Sequence, residues 1–229
     1  MSVNVNTVYQ RVLAITNKEQ RGYITPQEFN YMANQAQLDI FEQYFYDSNQ
    51  FARIPGNSTE YSDMLDILEE KISLFEKVGA TVTGGITLPS DVYRLGSILY
   101  NSIDAEHITQ KDWLYIKKSP LSQPSNDFPV YLRDSETNAI KVYADSITAN
   151  ETADVTCNYI KTPADAAWAY DNTTGLYDSG NSTNFELHAS EETELVIKIL
   201  ALAGIVLKDP GLYQIGSAEE VKSVQQEKA

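Results

Sequence analysis

The most constraining feature of the chain is a helix near its C-terminal end that is apolar on too many sides. Leu195, Ile199, Leu202 and Val206 recur every three or four residues, and Val196, Leu200, Ala203 and Leu207 form a second stripe beside them. An arc that wide needs cover on more than one side. Ser190 is placed to cap this helix, and Glu191, Glu192 and Glu194 favour the positive end of its dipole. Lys208 sits at the negative end, and Asp209-Pro210-Gly211 stops it.

Matching helical periods lie at the other end of the chain. Val5, Val8, Val12 and Ile15 form one stripe. Thr25-Pro26-Gln27-Glu28 reads as a helix start: Thr25 caps, Pro26 suits the first helical position and Glu28 completes a capping box. The helix that follows aligns Phe29, Ala33, Ala36 and Ile40, with Met32, Phe41 and Phe45 beside them, to about Ser48. After the break at Ile54-Pro55-Gly56-Asn57, a third helix is expected to follow Ser58-Thr59, with Met64, Leu68, Ile72 and Phe75 as its stripe. These helices do not complete a core unaided. The simplest packing sets the apolar C-terminal helix among them.

Between the two helical ends the period changes to two. Gly84-Gly85, between Thr81-Val82-Thr83 and Ile86-Thr87-Leu88, signals a hairpin. Strand-like runs follow at Val92–Tyr100, Trp113–Ile116, Val130–Arg133, Ala139–Tyr143 and Ala153–Ile160, separated by turn clusters. The expected fold is α+β: an antiparallel helical bundle from residues 1–78 and 185–215, with an inserted antiparallel β-sheet or small barrel over 79–163. A long polar loop, 164–184, and a polar helical tail, 216–229, complete the division. A loop of that length is more often functional than idle.

Chemistry is sparse. Cys157 is the single cysteine, so no intrachain disulfide or cysteine zinc cage is available, and its alternating neighbours make it a small apolar filler. His107 and His188 lack the second ligand that metal spacing demands. Asp134-Ser135-Glu136-Thr137-Asn138 lacks the glycine and closing glutamate of a calcium loop and reads as a turn. Gly84-Gly85 has none of the rest of a phosphate-binding fingerprint, and Glu69-Glu70 and Glu191-Glu192 read as solvated helix faces. Trp113 and Trp168 read as packing aromatics. No catalytic set, cofactor site or metal site is expected, and the chain reads as a non-enzyme.

The formal charge of −15, from 32 acidic and 17 basic residues, argues against a lysine-driven grip on nucleic acid. A negative wall would instead let a polyanion slide past. Met1–Asn6 does not resemble a signal peptide, and Leu195–Leu207 is interrupted by Lys198 and too short to span a bilayer, so synthesis in a reducing cytoplasm without membrane contact is expected.

Gly85-Ile86-Thr87-Leu88-Pro89-Ser90-Asp91-Val92-Tyr93-Arg94-Leu95 resembles the entry into the β part of tailed-phage head-to-tail connector proteins, the ring and adaptor family that includes tail tubular protein A. Phe128-Pro129-Val130-Tyr131, Ile140-Lys141-Val142-Tyr143 and Asn158-Tyr159-Ile160-Lys161-Thr162-Pro163 are similar to that family's later strand motifs, and Phe185-Glu186-Leu187-His188 to the opening of its terminal helix. Ala144 departs from the pattern, standing where a proline is usual, and the 164–184 loop is long. The resemblance covers roughly residues 5–210. It implies a virion protein at the head-to-tail junction that forms a homo-oligomeric ring, commonly twelvefold. Such a ring binds portal and an adjacent tail or ring protein, and DNA passes through it without specific binding. On this reading Val221 and Val224 in the tail face portal or a neighbouring subunit, and Tyr170 and Tyr177 in the loop face the next ring. A ligand- or carbohydrate-binding module on a helical scaffold, with Trp113 or Trp168 as platform, is the alternative; a diverged hydrolase is a third.

Overall fold

A computed structural model of the chain describes residues 2–18, 24–51, 64–84, 86–134, 139–145, 150–151, 153–171 and 173–206, with isolated positions 214, 218, 221 and 222. The described residues form a mixed α+β structure of five α-helices and two β-sheets. They divide into two compact units: residues 1–74 with 163–229, and residues 75–162. Sequence reasoning set the corresponding boundaries at 78/79 and 163/164.

The first unit holds α1 (Val5–Lys18), α2 (Pro26–Phe51), α3 (Met64–Ser73) and α5 (Glu192–Val206). Helix α5 packs on α1 and α2, and α2 also packs on α3. The capping box at α2 forms as expected: Thr25 Oγ1 accepts from the Glu28 N–H at 3.3 Å, and Glu28 Oε2 accepts from the Thr25 N–H at 2.9 Å. Phe29, Ala33, Ala36, Ile40 and Phe41 are buried, as are Leu195, Val196, Ile199, Leu200 and Ala203 on α5. Lys198, within that apolar run, is buried too. Its ammonium donates to Gln43 at 3.3 Å and lies 3.7 Å from Glu194.

Three expectations fail here for identifiable reasons. On α1 the inward position after Val12 is Thr16, not Ile15, which is 42% exposed. The Thr16 hydroxyl donates to the Val12 carbonyl at 3.0 Å, so its burial leaves no polar atom unmet. The α5 helix is entered through a 3₁₀ turn, Ala189–Glu191, capped by His188 rather than Ser190: the His188 Nδ1 accepts from the Ser190 N–H at 3.3 Å. Glu191 does not face solvent. It is buried and ion-paired with Lys71 of α3 at 2.7 Å.

The second unit begins and ends side by side, because the Lys161 N–H donates to the Phe75 carbonyl at 2.9 Å. Phe75 therefore belongs to the β unit and does not extend the α3 stripe. Strands β1 (Glu76–Thr81), β2 (Val92–Tyr100), β3 (Ile103–Asp104) and β7 (Val155–Lys161) form an antiparallel sheet in the order β1-β7-β2-β3. Strands β4 (Glu106–His107), β5 (Val130–Asp134) and β6 (Ala139–Tyr143) form a second sheet. Ile98, Ile140, Val142, Val155 and Cys157 meet in one core. The pair Thr83 and Thr87 closes the glycine hairpin, with Gly84 at φ +62°.

Among the described residues neither sheet closes into a barrel, and β4 runs parallel to β5. The parallel pair follows from α4 (Gln110–Ile116), which lies between the two strands in sequence and supplies the crossover. Trp113–Ile116 was expected to be a strand. Thr109 and Asp112 make it a helix instead: the Thr109 hydroxyl accepts from the Asp112 N–H at 3.2 Å and donates to its carboxylate at 2.6 Å.

Two of the sequence motifs meet in this unit. In Leu88-Pro89-Ser90-Asp91, Leu88 enters the core, and the Asp91 carboxylate accepts from the Tyr159 hydroxyl at 2.9 Å. The Asp91 carbonyl accepts from the Thr162 N–H at 2.8 Å.

Candidate interaction surfaces

The segment expected as a polar loop is a folded finger. Its base is held by a ladder of amide side chains on α2, where Asn30, Asn34 and Gln37 share one face through their spacing. Asn30 exchanges two hydrogen bonds with Trp168, accepting from its N–H at 2.8 Å and donating to its carbonyl at 3.2 Å. Asn34 accepts from the Ala166 N–H at 2.8 Å, and Gln37 donates to the Ala164 carbonyl at 2.8 Å. Backbone groups on this edge of the segment are thereby satisfied by side chains rather than by a strand. The Trp168 indole donates to Asn6 at 3.0 Å, and its ring lies 4.2 Å from Tyr9, which meets Phe29 edge-on at 4.8 Å.

From this base the chain runs outward and back, with Ala167 bridged to Thr183 and Tyr170 to Tyr177. Two aspartates order the turns. The Thr173 N–H and then the Thr174 hydroxyl hold the Asp171 carboxyl below the usual carboxylate range. The Asn181 amide and then the Gly180 N–H do the same for Asp178. Both keep their charge to lower pH than an ordinary aspartate. Tyr170 is 47% exposed at the surface of the finger, while Tyr177 is half-buried, its ring 5.9 Å from Trp168. Leu176, which sequence reasoning did not single out, is more exposed than either. In the tail Val221 is exposed, and Val224 lies outside the described residues.

The chemistry-bearing residues are dispersed. His188 caps a turn, and His107 on β4 packs its ring 5.0 Å from Tyr131. Cys157 is buried, and desolvation, then the Asp91 charge, push its thiol up. Trp113 stacks on Tyr143 at 4.2 Å. Asp134 pairs with Lys141 at 3.4 Å, and residues 135–138 lie outside the described residues. Among the described residues no three His, Cys, Asp or Glu side chains are grouped to hold a metal ion, and no helix is long and apolar enough to cross a membrane.

A second surface lies on the four-stranded sheet. A groove of about 470 Å³ is lined by Glu76, Lys77, Arg94, Ser97, Asn158 and Ile160, among others. Asn158 organises it, accepting from the Gly79 N–H at 2.8 Å on one neighbouring strand and donating to Ser97 at 2.8 Å on the other. Both neighbours depart from regular register here, β1 between Lys77 and Ala80, β2 between Leu95 and Ile98. Glycine is required at position 96, because a Cβ there would sit 2.9 Å from the Asn158 carbonyl oxygen. Gly96 inside the strand-like run Val92–Tyr100 was the available signal for this site.

No protein-family model matches the chain, and no curated protein compared with it is similar to it.

Proposed function

We propose that the chain is a structural, non-enzymatic subunit of the head-to-tail connector of a tailed phage, forming a homo-oligomeric ring that joins portal to tail and lines the DNA channel. On this reading α1, α2, α3 and α5 are an antiparallel bundle interrupted by the β unit. The observation that carries it is the meeting of Asp91 with Tyr159 and Thr162, which gives the two most distinctive motifs of the resemblance one shared task in the inserted unit. The charge of −15 supports a bore that repels DNA phosphates. Both tryptophan rings are buried against other aromatic rings, which speaks against an open sugar platform on either.

The test is the mass of the full chain by light scattering, with negative-stain imaging, alone and with the portal protein of the same phage. Closed rings coaxial with portal are the expected result. A monomer that never joins portal overturns the reading.

A further inference from the structure

In a chain of net charge −15, residues 110–128 carry three lysines against two aspartates, a local balance of the opposite sign to the rest. Lys111, Lys117 and Lys118 are exposed, and so are the apolar side chains among and beyond them. Leu114 is 61%, Tyr115 65%, Phe128 78% and Leu121 99% exposed. Scattered exposed leucines need no explanation, but four large apolar side chains on one excursion do. The excursion is not slack. Its backbone bonds turn after turn, Lys117 to Trp113, Ser119 to Ile116, Ser122 to Ser119 and Phe128 to Ser125, and Trp113 anchors it on Tyr143. Groups held this firmly are already ordered for contact, so little entropy is lost when they bind.

The finger of the helical unit has the opposite character. Residues 164–184 carry three aspartates and no basic residue. Asp165 at its base and Asp171 at its tip are exposed, as are the side chains of Tyr170 and Leu176. Its tip is also ordered, the Asp171 N–H donating to the Leu176 carbonyl at 2.9 Å and the Gly175 N–H to the Asp171 carbonyl at 2.7 Å. One chain thus carries a basic apolar surface and an acidic apolar surface, and both are open to solvent.

We propose that the occupant of the α4 excursion is the finger of a second copy of this chain. Two different complementary surfaces on one subunit join copies head to tail, which is the contact type that closes into rings. The inference rests on the ring reading and names its subunit interface. The exposed leucines favour a protein partner over DNA, whose phosphates would use the lysines alone.

The experiment uses sedimentation velocity on the full chain and two double variants. One alters the excursion, Tyr115→Asp with Leu121→Asp; the other alters the finger, Asp165→Lys with Leu176→Lys. All four side chains are exposed, and an unchanged thermal melt checks each fold. Wild-type mass should rise with concentration, less so in high salt. Each variant should associate about tenfold or more weakly. A mixture of the two variants should form a one-to-one dimer and stop there, since only one intact interface remains. Wild-type assembly that both variants retain overturns the inference and leaves the ring reading standing. So does a mixture that forms no dimer. A wild type that stays monomeric alone yet joins portal also overturns only the inference. Loss of DNA binding in the excursion variant with self-association intact would assign the surface to nucleic acid and overturn it as well.

Discussion

The helical unit and the β unit satisfy buried backbone in different ways. In the β unit strand pairs with strand, and behind them lie two apolar clusters, the larger built from Val, Ile, Leu, Ala, Tyr and Cys side chains. In the helical unit the helices satisfy themselves, but the irregular segment 163–188 adds to a few backbone bridges of its own the single side chains Asn30, Asn34 and Gln37 from α2 and Asn6 from α1, and the turn that follows it is held by the Lys71–Glu191 pair. Stability in the first case is spread along a ladder. In the second it is concentrated in a few directional contacts. Single polar substitutions should therefore damage the helical unit far more than the β unit.

The largest expected effect is at Lys71. Replacing it by methionine takes the cation from the buried Glu191 carboxylate, which keeps the Ser190 hydroxyl 3.0 Å away. The expected cost is about 3–5 kcal/mol in equilibrium chemical denaturation. Adding Glu191→Leu to Lys71→Met should recover most of that loss. A single variant as stable as wild type would show that Glu191 is not committed to this pair. Asn30→Ala comes next. It removes both bonds to the Trp168 backbone and should cost about 2–3 kcal/mol, with Trp168 fluorescence shifting to the red as the ring is wetted. The counterpart in the β unit is Ser97→Ala, which takes one bond from Asn158 and should cost about 1 kcal/mol or less. Equal losses for Asn30→Ala and Ser97→Ala would erase the contrast between the units.

The same contrast explains what could be read from the amino-acid order. Alternation located β2, β5, β6 and β7, and the helical stripes located α2 and α5, because burial on one face leaves a period. The finger left no period. Its order comes from Asn30, Asn34 and Gln37, whose spacing on α2 reads as an ordinary polar face until the partner segment is in place. The Lys71–Glu191 pair is invisible for a similar reason, as a glutamate in a first helical turn is fully explained by the dipole. Helix α4 was legible in principle, since Thr109-Gln110-Lys111-Asp112 is a capping signal, but Trp113-Leu114-Tyr115-Ile116 has the composition of a strand. Of the surface residues, Tyr170 and Val221 were singled out and are exposed, whereas Leu176 and Leu121 carry no motif and show themselves only by exposure.

Within the β unit the main weakness should be steric rather than polar. Gly96→Ala drives a methyl into the Asn158 carbonyl oxygen at 2.9 Å, against backbone that cannot swing aside. The expected cost is about 1–3 kcal/mol. Denaturation of the full chain alongside Ser97→Ala tests this, and a neutral Gly96→Ala would mean that the strands separate freely at this point.

An effect of about the same size as that of Ser97→Ala sharpens the comparison through pH. Burial first, then the hydrogen bond to Asp91 and its negative charge, pushes the Tyr159 hydroxyl from its ordinary 10 up to about 12. The folded chain thus holds this proton more tightly than the unfolded chain does. The contribution is complete below about pH 10 and is lost as pH climbs from there towards 12. Tyr159→Phe should cost about 1 kcal/mol at neutral pH and flatten, without abolishing, the alkaline fall in stability. Some slope remains because burial also raises Tyr100 and Tyr131. The measurement is denaturation at intervals from neutral pH to about pH 12, read against ultraviolet titration of the tyrosines. An alkaline limb as steep in Tyr159→Phe as in wild type would mean that this tyrosine ionises as freely as a surface one. The bond joining Leu88-Pro89-Ser90-Asp91 to Asn158-Tyr159-Ile160 would then add nothing to the β unit, whose hold would rest on its backbone ladders and apolar core alone.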